Sequence, residues 1–134
     1  MQSAILAAPV SRSRLWTGRA ISTLAVLFVA LDAVSHIAKP APVVDAFAQL
    51  GVPLHLSIGI GVIALISAAL YAIPRTSVLG AILLTGYLGG ATAIQVRAEA
   101  ALFPVLFPSI VAALFWGGLV LRDIRVRDFI LGRP

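Results

Sequence analysis

Between residues 20 and 121 the chain alternates long apolar runs with short polar breaks, and four of those runs are long enough to cross a bilayer core as helices. They cover residues 20–38, 54–73, 78–96 and 103–121. The third run holds 19 residues without a charge. Its small residues Gly86, Gly89, Gly90 and Ala93 share one face. The Gly86-to-Gly90 step is a GxxxG, which lets a second backbone approach closely where lipid supplies no hydrophobic drive. This face is therefore expected to pack on a neighbouring helix at the centre of the bundle. The second run carries a similar stripe of Ser57, Gly61, Ala64 and Ala68. Only residues 74–77 separate the second and third runs, so these helices are expected to be antiparallel neighbours. Pro104 and Pro108 fall in the first turns of the fourth run, where a missing amide donor costs least at Pro104 and a kink is expected at Pro108.

The break after the first run has a pattern of its own. Val43, Val44, Phe47 and Leu50 fall on one side and Asp45 and Gln49 on the other, with Pro42 near the start and Gly51 and Pro53 as stop signals. Such a segment reads as a short amphipathic helix lying on the membrane surface. Its simpler role is a connector between the first two spans; its functional alternative is a lid. Residues 1–15 read as a mobile basic tail, leaving one domain over residues 16–134. Arg12, Arg14 and Arg19 before an apolar run also describe a signal peptide. A retained first helix is favoured, because Asp32 and His36 lie inside the run and no small-x-small cleavage pattern follows.

Composition agrees with this pattern: 60% of residues are apolar and 11% charged, where soluble domains approach a quarter charged. The net charge of +5 does not indicate nucleic acid, since the basic residues sit at segment ends rather than in one patch. Arg12, Arg14, Arg19, Arg75, Arg122, Arg125, Arg127 and Arg133 flank one side, against Lys39 and Arg97 on the other. By the positive-inside rule both termini are expected in the cytoplasm, in a bacterial-type inner membrane. Trp16, Tyr71 and Trp116 would then form an aromatic belt at the inner headgroups. The absence of cysteine excludes thiol–disulfide exchange, Fe–S ligation and cysteine zinc sites in this chain.

Three segments carry a resemblance to a known family. The run LYAIPRTSVLGAILLTGYLGGA (70–91), the run LFPSIVAALFWGGLVLRD (106–123) and, more loosely, LDAVSHIAKPAPVVDAFAQLG (31–51) resemble the DoxX-like family of small four-helix membrane proteins. The resemblance implies a four-helix membrane bundle. It also implies thiosulfate:quinone oxidoreduction, or an accessory role beside oxidoreductases, as known for better-studied relatives. At the position of Gln95 the resemblance implies a frequent histidine in a Thr-His-x-Arg context, whereas this chain reads Ile94-Gln95-Val96-Arg97. A proton step that depends on that histidine is not carried over.

Candidate chemistry is sparse. Asp32 is the one carboxylate inside an apolar run, about 9 Å below its end at 1.5 Å per residue. An intramembrane carboxylate is costly and marks a functional or pairing site. His36 follows one turn on, on the same face. If the glycine face packs on the first helix, Arg97 is expected to pair with Asp32, with His36 and Gln95 completing a polar cluster. Tyr87 lies mid-span and needs a hydroxyl partner; with His36, His55 and an apolar slot it is a candidate for cofactor contact. Haem ligation by His36 and His55 is disfavoured because both lie near helix ends. No metal site is expected, and no Ser-His-Asp order, phosphate-binding glycine loop or HExxH motif occurs.

The expected fold is an all-α membrane protein: a four-helix transmembrane bundle with one interfacial helix between spans 1 and 2. The leading functional expectation is a non-enzymatic accessory or assembly subunit of a larger membrane complex, with lipid and other membrane subunits as partners and no cofactor of its own. The alternative is a quinone-linked redox component.

Overall fold

The computed structural model describes residues 9–133, and every regular element among them is helical. In chain order these are α1 (Arg12–Ala38), α2 (Ala41–Leu50), α3 (Ser57–Ala72), α4 (Ser77–Arg97), α5 (Leu102–Arg122) and α6 (Ile124–Ile130). One 3-10 turn, Leu54–Leu56, leads into α3. Helices α1, α4, α5 and the continuous Leu54–Ala72 segment are each long and apolar enough to cross a membrane. The bundle therefore follows the expected span pattern.

Two boundaries differ. Helix α1 begins at Arg12, inside the stretch read as a mobile tail, because the Ser11 side chain accepts from the Arg14 amide at 3.4 Å and caps the first turn. The rest of that tail, residues 1–8, lies outside the described residues. At the other end the basic residues after Arg122 form α6, an element the apolar pattern does not predict. Asp123 starts it by accepting from the Arg125 amide at 2.9 Å.

The spans form a square. Helix α1 packs on α3 and α5, and α4 packs on the same two, so α1 and α4 stand on opposite corners. Gly61 approaches Ala33 while the Tyr71 hydroxyl meets Ser22, so α3 runs antiparallel to α1. Gly18 lies against Gly118 and Phe28 against Phe107, so α5 does too. Helices α1 and α4 therefore run parallel across a diagonal. One end of the bundle gathers the start of α1, the α3–α4 turn and the end of α5 (the terminal end). The other gathers the end of α1, helix α2 and the start of α5 (the distal end).

Small residues line the helix contacts beside a few large ones such as Tyr71, Phe115, Leu84 and Leu119, while many large apolar residues cover the outside. Ala25, Ala33, Ala64, Ala68 and Ala81 are buried, whereas Leu24, Leu27, Leu31, Ile66 and Ile82 are exposed. That inversion suits a lipid solvent, in which association depends on close backbone packing rather than on burying leucine. The close approaches occur at Gly18, Gly61, Gly80 and Gly118, where an added Cβ would strike backbone or Ser22. They do not occur at the expected glycine face. A Cβ at Gly86, Gly89 or Gly90 meets nothing within 4 Å. Ala93 on the same face is exposed. Gly86 and Gly90 look across the diagonal, where no backbone is near enough to touch them.

A polar knot ties the terminal end. Tyr71 is fully buried, 2.9 Å from Ser22 Oγ, and donates to the Phe115 carbonyl at 2.7 Å. Arg122 sits over its ring at 4.8 Å and donates to the Tyr71 carbonyl and to Ser77 Oγ. Tyr71 is thus a core residue and not part of an aromatic belt: in the bundle its hydroxyl finds partners that a headgroup would otherwise supply. Trp116 is half-buried, its indole N–H donating to Thr85 Oγ1 on α4 at 2.8 Å. Trp16 is 59% exposed and suits the belt. Helix α5 continues through Pro108, which is buried.

Candidate functional site

The diagonal gap between α1 and α4 opens into a cavity of about 600 Å³ towards the distal end, within the range of small-molecule sites. Its walls are largely apolar, with Phe28 from α1, Ile60 from α3, and Phe107 and Val111 from α5. Helix α2 covers it with Val43, Phe47 and Leu50. The amphipathic segment is therefore a roof as well as a connector, and the face that was expected to rest on lipid headgroups turns into the cavity. Phe47 is buried there, its ring edge-on to His36 at 5.5 Å.

Gly86 and Gly90 belong to the cavity wall. Lacking side chains, they leave space beside Tyr87 that larger residues would fill. The GxxxG spacing is real, but its effect here is room for something other than a helix.

The polar groups meet on one side of this space. Tyr87 reaches across the diagonal from α4 and donates to Asp32 Oδ2 on α1 at 2.9 Å. His36, one turn along α1, brings Nε2 to 3.7 Å from the same oxygen. Its Nδ1 is buried with no hydrogen-bond partner among the described residues. An unpaired buried ring nitrogen is costly and needs an explanation. Gln95 lines the same cavity. The site thus offers a hydroxyl from α4 beside a carboxyl group and an imidazole one turn apart on α1, against an apolar slot.

Arg97 stands apart from that cluster. Instead of pairing with Asp32 it donates from Nη2 to the carbonyls of Leu50 at 3.2 Å and Gly51 at 3.4 Å. Those groups end α2, where Gly51 takes the left-handed φ of 65° that glycine tolerates. The expected pair fails because α4 does not pack on α1, and Arg97 finds the negative end of the α2 dipole instead. Asp32 takes Tyr87 as its partner. His55 is exposed in the turn before α3 and is not in the cavity wall, so it does not join His36. No group of three or more His, Cys, Asp or Glu that could hold a metal occurs among the described residues.

Asp32, His36, Tyr87 and Gln95, the candidates expected from sequence, all line the cavity. Helix α2 stands over the cavity as the lid alternative requires, but the sequence did not single out the contact of Phe47 with His36. The available signal was Phe47 at the centre of the α2 apolar face, one short break away from His36.

The DoxX-like family model matches residues 20–118, which hold all four spans except the first turns of α1 and the last residues of α5. This chain belongs to the DoxX-like family. No curated protein and no solved structure matches it. Membership accounts for the small multi-pass membrane bundle, and the matched segment contains every polar residue of the DoxX-like cavity.

Proposed function

We propose that this DoxX-like protein binds an amphipathic, lipid-soluble molecule of the quinone type in the α1–α4 cavity and serves a larger membrane redox complex. The observation that carries this reading is the joining of Tyr87, Asp32 and His36 on one side of an otherwise apolar cavity. A quinone head fits the residues present: it is planar and apolar, with carbonyls that need donors at its edge. The buried His36 Nδ1 without a partner is one group available to such an edge.

When bound, a quinone supplies the capacity to take up two electrons and two protons. The chain's own residues then have limited tasks. His36 supplies the donor at the cavity edge, Tyr87 gives its one proton to Asp32 and presents its oxygen, and Asp32 orients both. Phe47 and the α2 roof keep water from the site, and Gly86 and Gly90 leave room for a ring. The electrons come from a partner oxidoreductase or its substrate. This assigns the chain the accessory role and the quinone-linked role together: it is the quinone-holding subunit, and its partner carries out electron delivery. We place it in a bacterial-type cytoplasmic membrane, with the arginine-rich terminal end inside.

The test is quinone retention. The chain is reconstituted in nanodiscs of defined lipid with a short-chain benzoquinone, washed, and extracted for absorbance measurement. About one quinone per chain is expected, with loss in Gly90→Leu, which fills the cavity. Retention no higher than in empty nanodiscs contradicts the reading.

A further inference from the structure

The terminal end carries a second cleft, separate from the quinone-type site, of about 150 Å³ between α1, the α3–α4 turn and the end of α5. We propose that it binds a phosphate oxyanion, supplied by the headgroup of an anionic glycerophospholipid. Two guanidinium groups from different helices, Arg19 and Arg122, line it. Arg122 is partly buried, and no carboxylate lies within 4 Å of it among the described residues. One of its terminal nitrogens is committed to the Tyr71 carbonyl and Ser77 Oγ, which holds the fork in place. A partly buried cation without a counter-charge is unfavourable, and an anion in the adjoining cleft relieves that cost.

Asp123 also borders the cleft and is the obvious competitor. Its carboxylate keeps its charge but is held at the start of α6 by accepting the Arg125 amide through Oδ1, and the cleft sets two guanidinium charges against this one. The cation pair therefore outweighs it. Arg19 is exposed and stacked at 5.5 Å over the Trp16 ring, an arrangement suited to the headgroup layer. The remaining walls, Leu15, Pro74 and Leu119, are apolar, as the glycerol end of a lipid requires. The volume admits a phosphate group and excludes an acyl chain, which is left to run along the lipid-facing surface. Guanidinium forks match phosphate geometry better than an ammonium does.

The full chain in nanodiscs of zwitterionic lipid is titrated with phosphatidylglycerol, and retained lipid is counted by native mass spectrometry. One phosphatidylglycerol per chain is expected to persist. Arg19→Gln should weaken it about tenfold, the scale of one charge-assisted hydrogen bond. Arg133→Gln, at the exposed C-terminal end, should leave it unchanged. Because Arg122→Gln also removes contacts to Tyr71, Arg122→Lys is the companion variant; it keeps the charge, loses the fork and should weaken binding. Unaltered retention in Arg19→Gln overturns the site. Equal loss in Arg133→Gln also overturns it, showing diffuse surface attraction instead. Inorganic phosphate provides the second arm: competition at millimolar concentration, lost in Arg19→Gln, assigns the same oxyanion site to free phosphate. Failure to compete assigns it to the lipid.

Discussion

Tyr87 and Asp32 lie 55 positions apart on helices that do not pack against each other, yet their side chains meet at 2.9 Å across the diagonal of the bundle. The bond spans the cavity rather than closing it. It fixes the separation of α1 and α4 at a point where no apolar contact does so. A double-mutant cycle on Asp32→Asn and Tyr87→Phe should therefore show coupling of about 1 kcal/mol, the scale of buried polar contacts between membrane helices. The parallel cycle on Asp32→Asn and Arg97→Gln should be additive. Coupling in the second cycle and none in the first, read from unfolding in detergent, would restore the Asp32–Arg97 pair.

Arg97 acts on the roof. Its two contacts to the last carbonyls of α2 are among the few polar links holding that helix over the cavity. Arg97→Gln should leave the four spans intact while raising amide hydrogen exchange over residues 43–52. Unchanged exchange there would mean that Phe47 and the other apolar contacts suffice to hold α2.

The Tyr71 hydroxyl joins three helices, touching Ser22 on α1 and Phe115 on α5. Tyr71→Phe keeps the ring and its edge-on contact with Phe115 but removes the hydroxyl that Ser22 and the Phe115 carbonyl share. A loss of about 1 kcal/mol or more in thermal or denaturant unfolding is expected. Wild-type stability would show that these partners find substitutes within the bundle.

Both termini should be cytoplasmic, because eight arginines flank that side and each span reverses direction. Reporter fusions after Pro40, Thr76, Ala100 and Pro134 should alternate out, in, out, in. A cytoplasmic signal after Pro40 contradicts this orientation.

The fold was legible because the four spans are written in local terms: apolar length, and breaks at Pro74, Arg97 and Asp123. The polar residues of the site were legible for a similar reason, since Asp32, His36 and Tyr87 are conspicuous in apolar runs. What local pattern does not encode is which helix corner each face points to. A small-residue stripe on α4 has the same spacing whether it meets a backbone or a void, and that ambiguity misdirected both Gly86–Gly90 and Arg97. The stripe on α3 did meet a neighbour, at Gly61 against Ala33. Helix α6 escaped notice because its seven residues are too few for periodicity to register.

The two kinds of glycine in this bundle should respond in opposite ways. At Gly118 an added Cβ runs into Ser22 Oγ and the backbone of α1, and at Gly80 into the backbone around Tyr71. The backbone atoms cannot swing aside and Ser22 Oγ could do so only by leaving Tyr71, so Gly80→Ala and Gly118→Ala should each separate a helix pair and destabilise it by about 1–3 kcal/mol, as overpacking does. At Gly86 and Gly90 nothing lies within 4 Å, and both backbones are helical. There alanine removes unfolded-state freedom without a clash, so Gly86→Ala and Gly90→Ala should be neutral or stabilising by up to about 1 kcal/mol. Gly90→Leu should retain the fold while occupying cavity volume, which separates ligand loss from unfolding. Melting curves of the four alanine variants in one detergent decide the matter. Destabilisation at Gly90 matching that at Gly118 would mean that a second surface packs against α4, as a neighbouring copy or subunit would do in the membrane.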